Sequence, residues 1–306
     1  MPSLQSQPGC SWSGVLPAVT TQFDADLRVD LPATRAVQSA LVEDGVHGLV
    51  VLGTCGENNS LTAEEKRSVL RGAVEAVRGR VPVIAGVSEL TTAAAMAFAR
   101  DAETIGATAL MLLPAMVYVP TPHELEFHFR SVAGVTRLPI MLYNNPPAYR
   151  VSIDADTLGR LADVPNIVAV KESSPDPRRF TDVVNACGER FVLFAGLDDV
   201  VFEGITLGAR GWISGLTNAF PRESLALYAA LQGGDLARAR RIYRWFMPLL
   251  HLDAGHDLVQ SIKLAEQIMG RGSERVRPPR LALAGARREE VTRLVERAAA
   301  TRSQIA

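Results

Sequence analysis

Ile167-Val168-Ala169-Val170-Lys171-Glu172-Ser173-Ser174 is the stretch on which the fold and the chemistry depend. Four apolar residues run directly into a lysine, with Pro165-Asn166 before the run and Pro175 after it. A short apolar run between turn residues predicts a strand that is buried on both faces, as in a parallel sheet. Lys171 then stands at the carboxyl end of that strand.

Lys171 has two interpretations at this position. Loss of hydration disfavours the ammonium form of a lysine, and the neutral amine is a nucleophile for carbonyl or imine carbon. An ordinary lysine instead packs its stem on the sheet and extends its charged end into water. The stretch alone leaves both interpretations open.

Short runs rich in valine, isoleucine and leucine alternate with longer amphipathic segments along most of the chain. The strand-like runs are residues 14–20, 47–52, 81–87, 107–113, 138–143, 167–170, 191–195 and 211–214. Between them, Thr62 with Glu65 predicts a capping box, and Thr121-Pro122 predicts a helix with proline at its first position. Gly45 and Gly188 predict helix ends. Eight strand and helix units predict a (β/α)8 TIM barrel.

The pattern changes after the eighth strand. Helical patterns cover residues 223–231, 236–250, 259–269 and 289–300, and no further strand is predicted. The first of these helices completes the barrel, and the others form a C-terminal helical extension. We therefore divide the chain into a catalytic barrel of residues 1–232 and a helical extension of residues 233–306.

Composition narrows the class of protein. The chain has 306 residues, is 47% hydrophobic and carries a net charge of −1, which argues against nucleic acid as a partner. Its cysteines, Cys10, Cys55 and Cys187, are odd in number and scattered, which indicates a reducing compartment without a disulfide framework. The first residues lack the order of a signal peptide, and no apolar run approaches ~18 residues. We expect a cytoplasmic protein without a membrane partner.

In a (β/α)8 barrel the chemistry collects where the strands end. Gly53-Thr54-Cys55-Gly56 follows the second strand, and its glycines allow the backbone amides to turn inward and hold a carboxylate. The Thr54 hydroxyl adds a further donor. A plain glycine turn before a helix is the alternative interpretation.

Tyr143-Asn144-Asn145-Pro146 follows the fifth strand. A phenol at the strand end can relay a proton over the cavity that Lys171 faces. A tyrosine packed at the barrel rim is the alternative. Near the C-terminus, His251, Asp253 and His256 are candidates for a metal site, but a separation of five between the histidines matches no zinc pair on a helix face.

Together these stretches resemble the dihydrodipicolinate synthase and N-acetylneuraminate lyase superfamily. The resemblance rests on residues 53–57, 143–146 and 170–172, and extends through 195–199 and 208–215 to the helical tail. Members are barrels with a C-terminal helical region, commonly tetrameric, that form a Schiff base between a 2-oxo acid and the lysine of the sixth strand. The resemblance therefore implies a homotetramer with no cofactor other than the covalent imine at Lys171.

The resemblance also implies the role of each candidate residue. Lys171 is the imine former, Tyr143 the proton relay and Thr54 the hydroxyl partner of Tyr143. The backbone amides of Thr54 and Cys55 cradle the substrate carboxylate. The other implied substrate-binding residues are Gly53, Gly56, Asn145, Gly196 and Ile213.

The chain departs from the synthase pattern at two places. Ala115 and Met116 replace a tyrosine pair after the fourth strand, and Ala148 replaces an arginine after the strand-five proline. Tyr118 and Arg150 lie two residues beyond the expected positions. Without a guanidinium fork, a second substrate carboxylate loses its bidentate partner, which favours a different substrate.

Three runs are similar to one particular branch. They are residues 113–118, the Tyr-Asn-Asn-Pro from Tyr143 and residues 243–250, and they resemble 1-pyrroline-4-hydroxy-2-carboxylate deaminases of bacterial hydroxyproline catabolism. That branch converts a cyclic imine carboxylate to 2,5-dioxopentanoate and ammonia. A dihydrodipicolinate synthase, a pyruvate-dependent aldolase or sugar-acid dehydratase, and a catalytically silent ligand-binding barrel stay open as alternatives.

Overall fold

The computed structural model describes residues 13–115 and 118–305, and Cys10 and Met116 lie outside these ranges. Eight parallel strands follow one another around the sheet in the order β1-β8-β7-β6-β5-β4-β3-β2. They are β1 Gly14–Pro17, β2 Leu49–Val51, β3 Val83–Val87, β4 Ala109–Leu112, β5 Ile140–Asn144, β6 Ile167–Glu172, β7 Val192–Ala195 and β8 Gly211–Ser214. A parallel bridge between Ala18 and Val50 joins β1 to β2 and closes the ring. The predicted (β/α)8 TIM barrel is confirmed.

Helices cover the outside of the barrel and continue into the tail. They are α1 Leu31–Glu43, α2 Ala63–Val77, α3 Thr92–Ile105, α4 Pro122–Ala133, α5 Pro146–Tyr149, α6 Ala155–Leu161, α7 Arg178–Cys187, α8 Val201–Thr206, α9 Pro221–Gln232, α10 Leu236–Ala254, α11 Leu258–Ile268 and α12 Gly285–Thr301. The last three form the predicted helical extension. The boundary at residue 232 between the barrel and the extension stays a prediction.

The predicted helix caps are present. Thr62 and Glu65 form a reciprocal capping box at the start of α2. Thr121 and Glu124 form another at the start of α4, where proline occupies the first turn. Gly45 and Gly188 follow α1 and α7 with φ of 94° and 58°, a backbone region that glycine enters without a Cβ penalty. Local sequence therefore fixes where these helices begin and end.

Apolar side chains form two layers around the sheet. The larger layer lies between the strands and the helices, as alternation along a buried strand requires. The smaller layer fills the barrel interior, with Leu16, Met111, Phe194 and Ile213 among its fully buried members. The interior is therefore a packed core, and a cavity lies where the strands end.

The extension is bonded to the barrel through buried polar groups. Lys263 on α11 donates to the carbonyl of Thr21 at 2.8 Å and to the Glu57 carboxylate at 2.9 Å. Both members of this ion pair are 0% exposed. Glu266 accepts hydrogen bonds from Thr20 at 2.9 Å. These contacts fix the tail against the loops that follow β1 and β2. None of the described helices is long and apolar enough to cross a membrane.

Candidate active site

Lys171 lies inside β6, next to the last residue of the strand. The strand extends two residues further than predicted, because Lys171 pairs with Tyr143 on β5 and with Phe194 on β7. Side chains alternate along a strand, so Lys171 shares a face with Ala169, which belongs to the barrel-interior core. The lysine is 4% exposed and does not extend into water.

Burial and neighbouring charges act on the Lys171 amine in opposite directions. Burial lowers the pKa of Lys171, and the negative charge of Asp253 is the largest influence that opposes this shift. The Lys171 Nζ atom stands 4.0 Å from the centroid of the Tyr143 ring. A lowered pKa increases the fraction of neutral amine at neutral pH, and the neutral amine is the form that attacks carbon.

Tyr143 is buried beside the lysine, and its phenol is held in place by Asn145. The Asn145 side-chain amide donates to the Tyr143 hydroxyl at 2.8 Å, while its carbonyl accepts from the backbone amide of Ala148 at 3.1 Å and caps α5. Burial raises the pKa of Tyr143, although the hydrogen bond from Asn145 acts against the shift. The phenol therefore stays neutral, as a proton relay requires.

The Thr54 hydroxyl is hydrogen-bonded to the hydroxyl of Tyr149. The family resemblance implied Tyr143 as its partner. The ring of Tyr149 stands edge-on to that of Tyr143, at 5.7 Å between centroids. Tyr149 was missed by the sequence analysis. The sequence signal for Tyr149 is Asn145 followed by two prolines. Asn145 caps the short helix α5, which ends at Tyr149 close to the end of β5.

The glycine loop after β2 contributes three of its predicted residues to the cavity. Gly53, Thr54 and Cys55 line the same cavity as Lys171, Tyr143 and Asn145. Burial raises the pKa of the Cys55 thiol, so the thiol form is favoured. Gly56 instead packs on backbone: a Cβ there would stand 3.0 Å from the Leu52 nitrogen and 3.1 Å from the Val19 oxygen.

Gly196 and Ile213 have different positions relative to the cavity. Gly196 lines it, directly after β7. Ile213 is 0% exposed in the barrel-interior core and is not among the residues that line the cavity. Its predicted role in substrate binding stays a prediction, and its observed contacts are those of a core residue.

Replacing Gly196 with alanine is expected to displace the lysine. A Cβ at this position would stand 2.1 Å from the Ser173 hydroxyl oxygen and 2.8 Å from two carbons of the Lys171 side chain. Misplacement of a reacting group by about 1 Å can cost on the order of 10²-fold in rate. We expect a fall of that size in the rate at which borohydride traps a 2-oxo acid on the protein.

The control for this prediction is Gly159→Ala in α6, where a Cβ meets nothing within 4 Å. That variant should trap the 2-oxo acid at the wild-type rate and gain roughly 0.5–1 kcal/mol of stability. Equal trapping rates in the two variants would contradict the role of the close contact at Gly196.

The residues considered as replacements for the missing synthase groups lie away from the cavity. Tyr118 is 60% exposed and donates to the Glu124 carboxylate at 2.5 Å. Arg150 is exposed after α5 with φ of 57°, and Ala148 is also exposed. None of these three residues lines the cavity with Lys171. Met116 lies outside the described residues.

The three residues weighed as a metal site are separated by the fold. His251 bonds to Asp199 at 2.9 Å on an exposed surface, and His256 is exposed. Within residues 13–115 and 118–305, no group of three or more histidine, cysteine, aspartate or glutamate side chains could hold a metal ion. Asp253 instead lines the Lys171 cavity, together with Leu258. The sequence analysis did not predict that the extension reaches the site.

Comparison with known proteins gives a consistent result. The sequence profile described as the Dihydrodipicolinate synthetase family matches residues 11–298. A 4-hydroxy-tetrahydrodipicolinate synthase of Moorella thermoacetica is 36% identical over 279 residues, which is 91% of this chain and 94% of that protein.

Two solved structures are also similar to this chain. The 4-hydroxy-tetrahydrodipicolinate synthase of Methylacidiphilum fumariolicum superposes with a TM-score of 0.92 at 28% identity, covering 96% of this chain and 98% of the other. A dihydrodipicolinate synthase of Acinetobacter baumannii complexed with pyruvate gives 0.90 at 28% identity, covering 94% and 99%. The similarity extends over the barrel and the helical tail.

Proposed function

The chain belongs to the dihydrodipicolinate synthetase family, and from this premise we propose that it is a lyase in which Lys171 forms a Schiff base with a 2-oxo acid or a cyclic imine carboxylate. The observation that carries the proposal is the buried Lys171 amine, 4.0 Å from the centroid of the Tyr143 ring in a cavity at the strand ends. A lysine with a lowered pKa beside a neutral phenol suits imine chemistry.

The first step joins the Lys171 amine to C2 of the substrate. Tyr143 moves a proton to the atom that leaves C2, which is oxygen in a 2-oxo acid and the ring nitrogen in a cyclic imine. The backbone amides of Thr54 and Cys55 hold the substrate carboxylate. The resulting protonated imine withdraws electrons from C3, so a proton there becomes removable.

Within this family we propose 1-pyrroline-4-hydroxy-2-carboxylate deaminase activity. Attack of Lys171 on C2 opens the ring, and the ring nitrogen becomes a free amine on C5. Loss of the C3 proton expels the C4 hydroxyl as water, and migration of the double bond produces an imine at C5. Hydrolysis at C5 and at C2 consumes two waters and gives ammonia and 2,5-dioxopentanoate, so the net reaction consumes one water.

The composition of the cavity supports a substrate other than that of the synthase. An aldehyde substrate with its own carboxylate needs a cation, and none of the described residues that line the cavity is an arginine. Ala148 stands at the position where the synthase pattern has its arginine, and Arg150 is exposed. The cavity carries a carboxylate of its own, Asp253.

Dihydrodipicolinate synthase activity is the second candidate. It is favoured by the similar protein of Moorella thermoacetica, which is named 4-hydroxy-tetrahydrodipicolinate synthase and is 36% identical to this chain. This reaction joins pyruvate, bound as an imine on Lys171, to aspartate semialdehyde. An aldolase or sugar-acid dehydratase would use the same imine and break a bond of a longer substrate.

The deaminase proposal is tested by incubating the protein with 1-pyrroline-4-hydroxy-2-carboxylate. We expect ammonia and 2,5-dioxopentanoate in equal amounts, measured with glutamate dehydrogenase and with a semialdehyde dehydrogenase. A parallel assay with pyruvate, aspartate semialdehyde and a coupled reductase tests the synthase. Turnover in the second assay without ammonia release in the first would refute the deaminase and establish the synthase.

The assembly of the protein stays a prediction. Family resemblance implies a homotetramer, and several large apolar side chains near α3 and α4 are exposed in the isolated chain, namely Leu90, Tyr118, Val119 and Phe127. Exposed apolar surface of this kind is typical of subunit contacts. Sedimentation velocity on the purified protein measures the assembly directly.

A further inference from the structure

Asp253 is a buried carboxylate in the cavity to which the proposed mechanism gives no role. It lies in the last turn of α10, outside the barrel, and is 8% exposed. It lines the cavity with Lys171 and Tyr143. The barrel leaves room for it at Gly215, where a Cβ would stand 2.3 Å from an Asp253 carboxylate oxygen.

The charge of Asp253 acts on the interior of the cavity. Its interaction with Lys171 is the largest influence that opposes the lowering of the lysine pKa by burial. Burial raises the pKa of Asp253 above its usual range, and the positive charge of Lys171 and the backbone of Asp198 oppose that shift. The positive charge of Lys171 favours the ionised form of this carboxylate, which lies in a site that also receives an anionic substrate.

The neighbouring acid, Asp198, is held by hydrogen bonds within the barrel. Its carboxylate accepts hydrogen bonds from the Trp212 indole at 2.8 Å, the Ser214 hydroxyl at 3.1 Å and the Leu216 amide at 2.8 Å. These contacts tie β7, β8 and the following turn together. Asp198 is therefore a structural acid that does not line the cavity, whereas Asp253 does.

We propose that Asp253 selects substrates by their distal end, the end away from the carboxylate next to C2. Its carboxylate accepts a hydrogen bond from a hydroxyl or an amine there and excludes a second carboxylate. A buried carboxylate binds donors and disfavours a like charge placed beside it. The inference rests on the proposed Schiff base at Lys171. It deepens that proposal by assigning the substrate class: 2-oxo acids or cyclic imines with one carboxylate and a distal donor.

The test compares two 2-oxo acids of equal chain length. Borohydride trapping at pH 8 is measured by mass for pyruvate, 2-oxopentanoate, which ends in a methyl group, and 2-oxoglutarate, which ends in a carboxylate. We expect the wild-type protein to trap 2-oxopentanoate at least about tenfold faster than 2-oxoglutarate, a factor that corresponds to about 1.4 kcal/mol. Comparable rates for the two acids in the wild-type protein would overturn the inference.

Asp253→Asn keeps the shape of the side chain and removes its charge. This variant should still trap pyruvate, at a rate altered by the loss of the negative charge near Lys171. Its preference for 2-oxopentanoate over 2-oxoglutarate, a ratio taken within the same variant, should fall about tenfold. The control is Asp257→Asn, which removes a nearby carboxylate that is paired with Arg287 and does not line the cavity. Its preference should equal that of the wild type.

The outcomes separate the two proposals. An unchanged preference in Asp253→Asn, with pyruvate still trapped, would overturn the role of Asp253 and leave the Schiff base intact. Absence of an adduct with all three 2-oxo acids in the wild-type protein, together with no ammonia release from the cyclic imine, would instead refute the proposed function. Because the wild-type comparison needs no variant, the inference stays testable even if Asp253→Asn fails to fold.

Discussion

Lys171→Met is expected to abolish both the borohydride-stable adduct and the turnover of any substrate. Methionine has no amine to form an imine, and loss of a covalent nucleophile costs on the order of 10⁶-fold in kcat in a well-studied hydrolase. We expect a fall of at least about 10⁴-fold, measured as ammonia or pyruvate released by the purified variant. Peptide mapping of the wild-type adduct should place the added mass on Lys171.

The same substitution should not destabilise the fold. Lys171 is buried at an energetic cost, and an apolar side chain of similar length removes the need to dehydrate an amine. Its unfolding midpoint in urea should equal or exceed that of the wild type. Lys66→Met is the matched control, because Lys66 pairs with Glu89 and does not line the cavity. An adduct that persists in Lys171→Met would contradict the assignment.

Lys263→Met is expected to lower the free energy of unfolding by about 3–5 kcal/mol, because it leaves the Glu57 carboxylate charged and without its cation. Both side chains are 0% exposed, and the Lys263 Nζ atom also stands 4.4 Å from the centroid of the Phe23 ring. The measurement is urea unfolding at pH 7. A change below about 1 kcal/mol would contradict the prediction.

Two variants separate loss of the pair from loss of a single charge. Glu57→Gln combined with Lys263→Met removes both charges, and should recover part of the stability that Lys263→Met loses. Lys66→Met removes a lysine from a pair whose glutamate is 16% exposed, and should cost less than Lys263→Met. Activity should fall with Lys263→Met as well, since Glu57 ends the loop that carries Thr54 and Cys55.

The fold could be predicted because its signals are local. Each strand is an apolar run between turn residues, and the caps at Thr62 and Thr121 bond to residues three positions away. The predicted end of β6 was two residues too early, because the end of this strand depends on its neighbours in the sheet. Lys171 and Glu172 are polar, yet pairing with β5 and β7 holds both in the sheet. The strand propensity of a residue does not report pairing between strands that are distant in the sequence.

The site could be predicted in part. Lys171, Tyr143 and the Gly53–Cys55 loop follow apolar runs, so barrel topology brings them to one cavity. Tyr149 and Asp253 depend on how a four-residue helix and the end of α10 meet the barrel. Such packing is set by three-dimensional contacts and leaves no periodic pattern. Asp253 was therefore noticed only as a member of a metal cluster that the fold does not form.

The ion pair between Glu57 and Lys263 has a consequence for recombination between relatives. One charge follows the second strand and the other lies in the tail, so any single crossover between them separates two groups that are buried together. A chimera would keep the pair only if the parent of the barrel carries Glu57 and the parent of the tail carries Lys263. Libraries that exchange tails within this family should therefore yield folded proteins mainly when residues 57 and 263 are inherited as a unit.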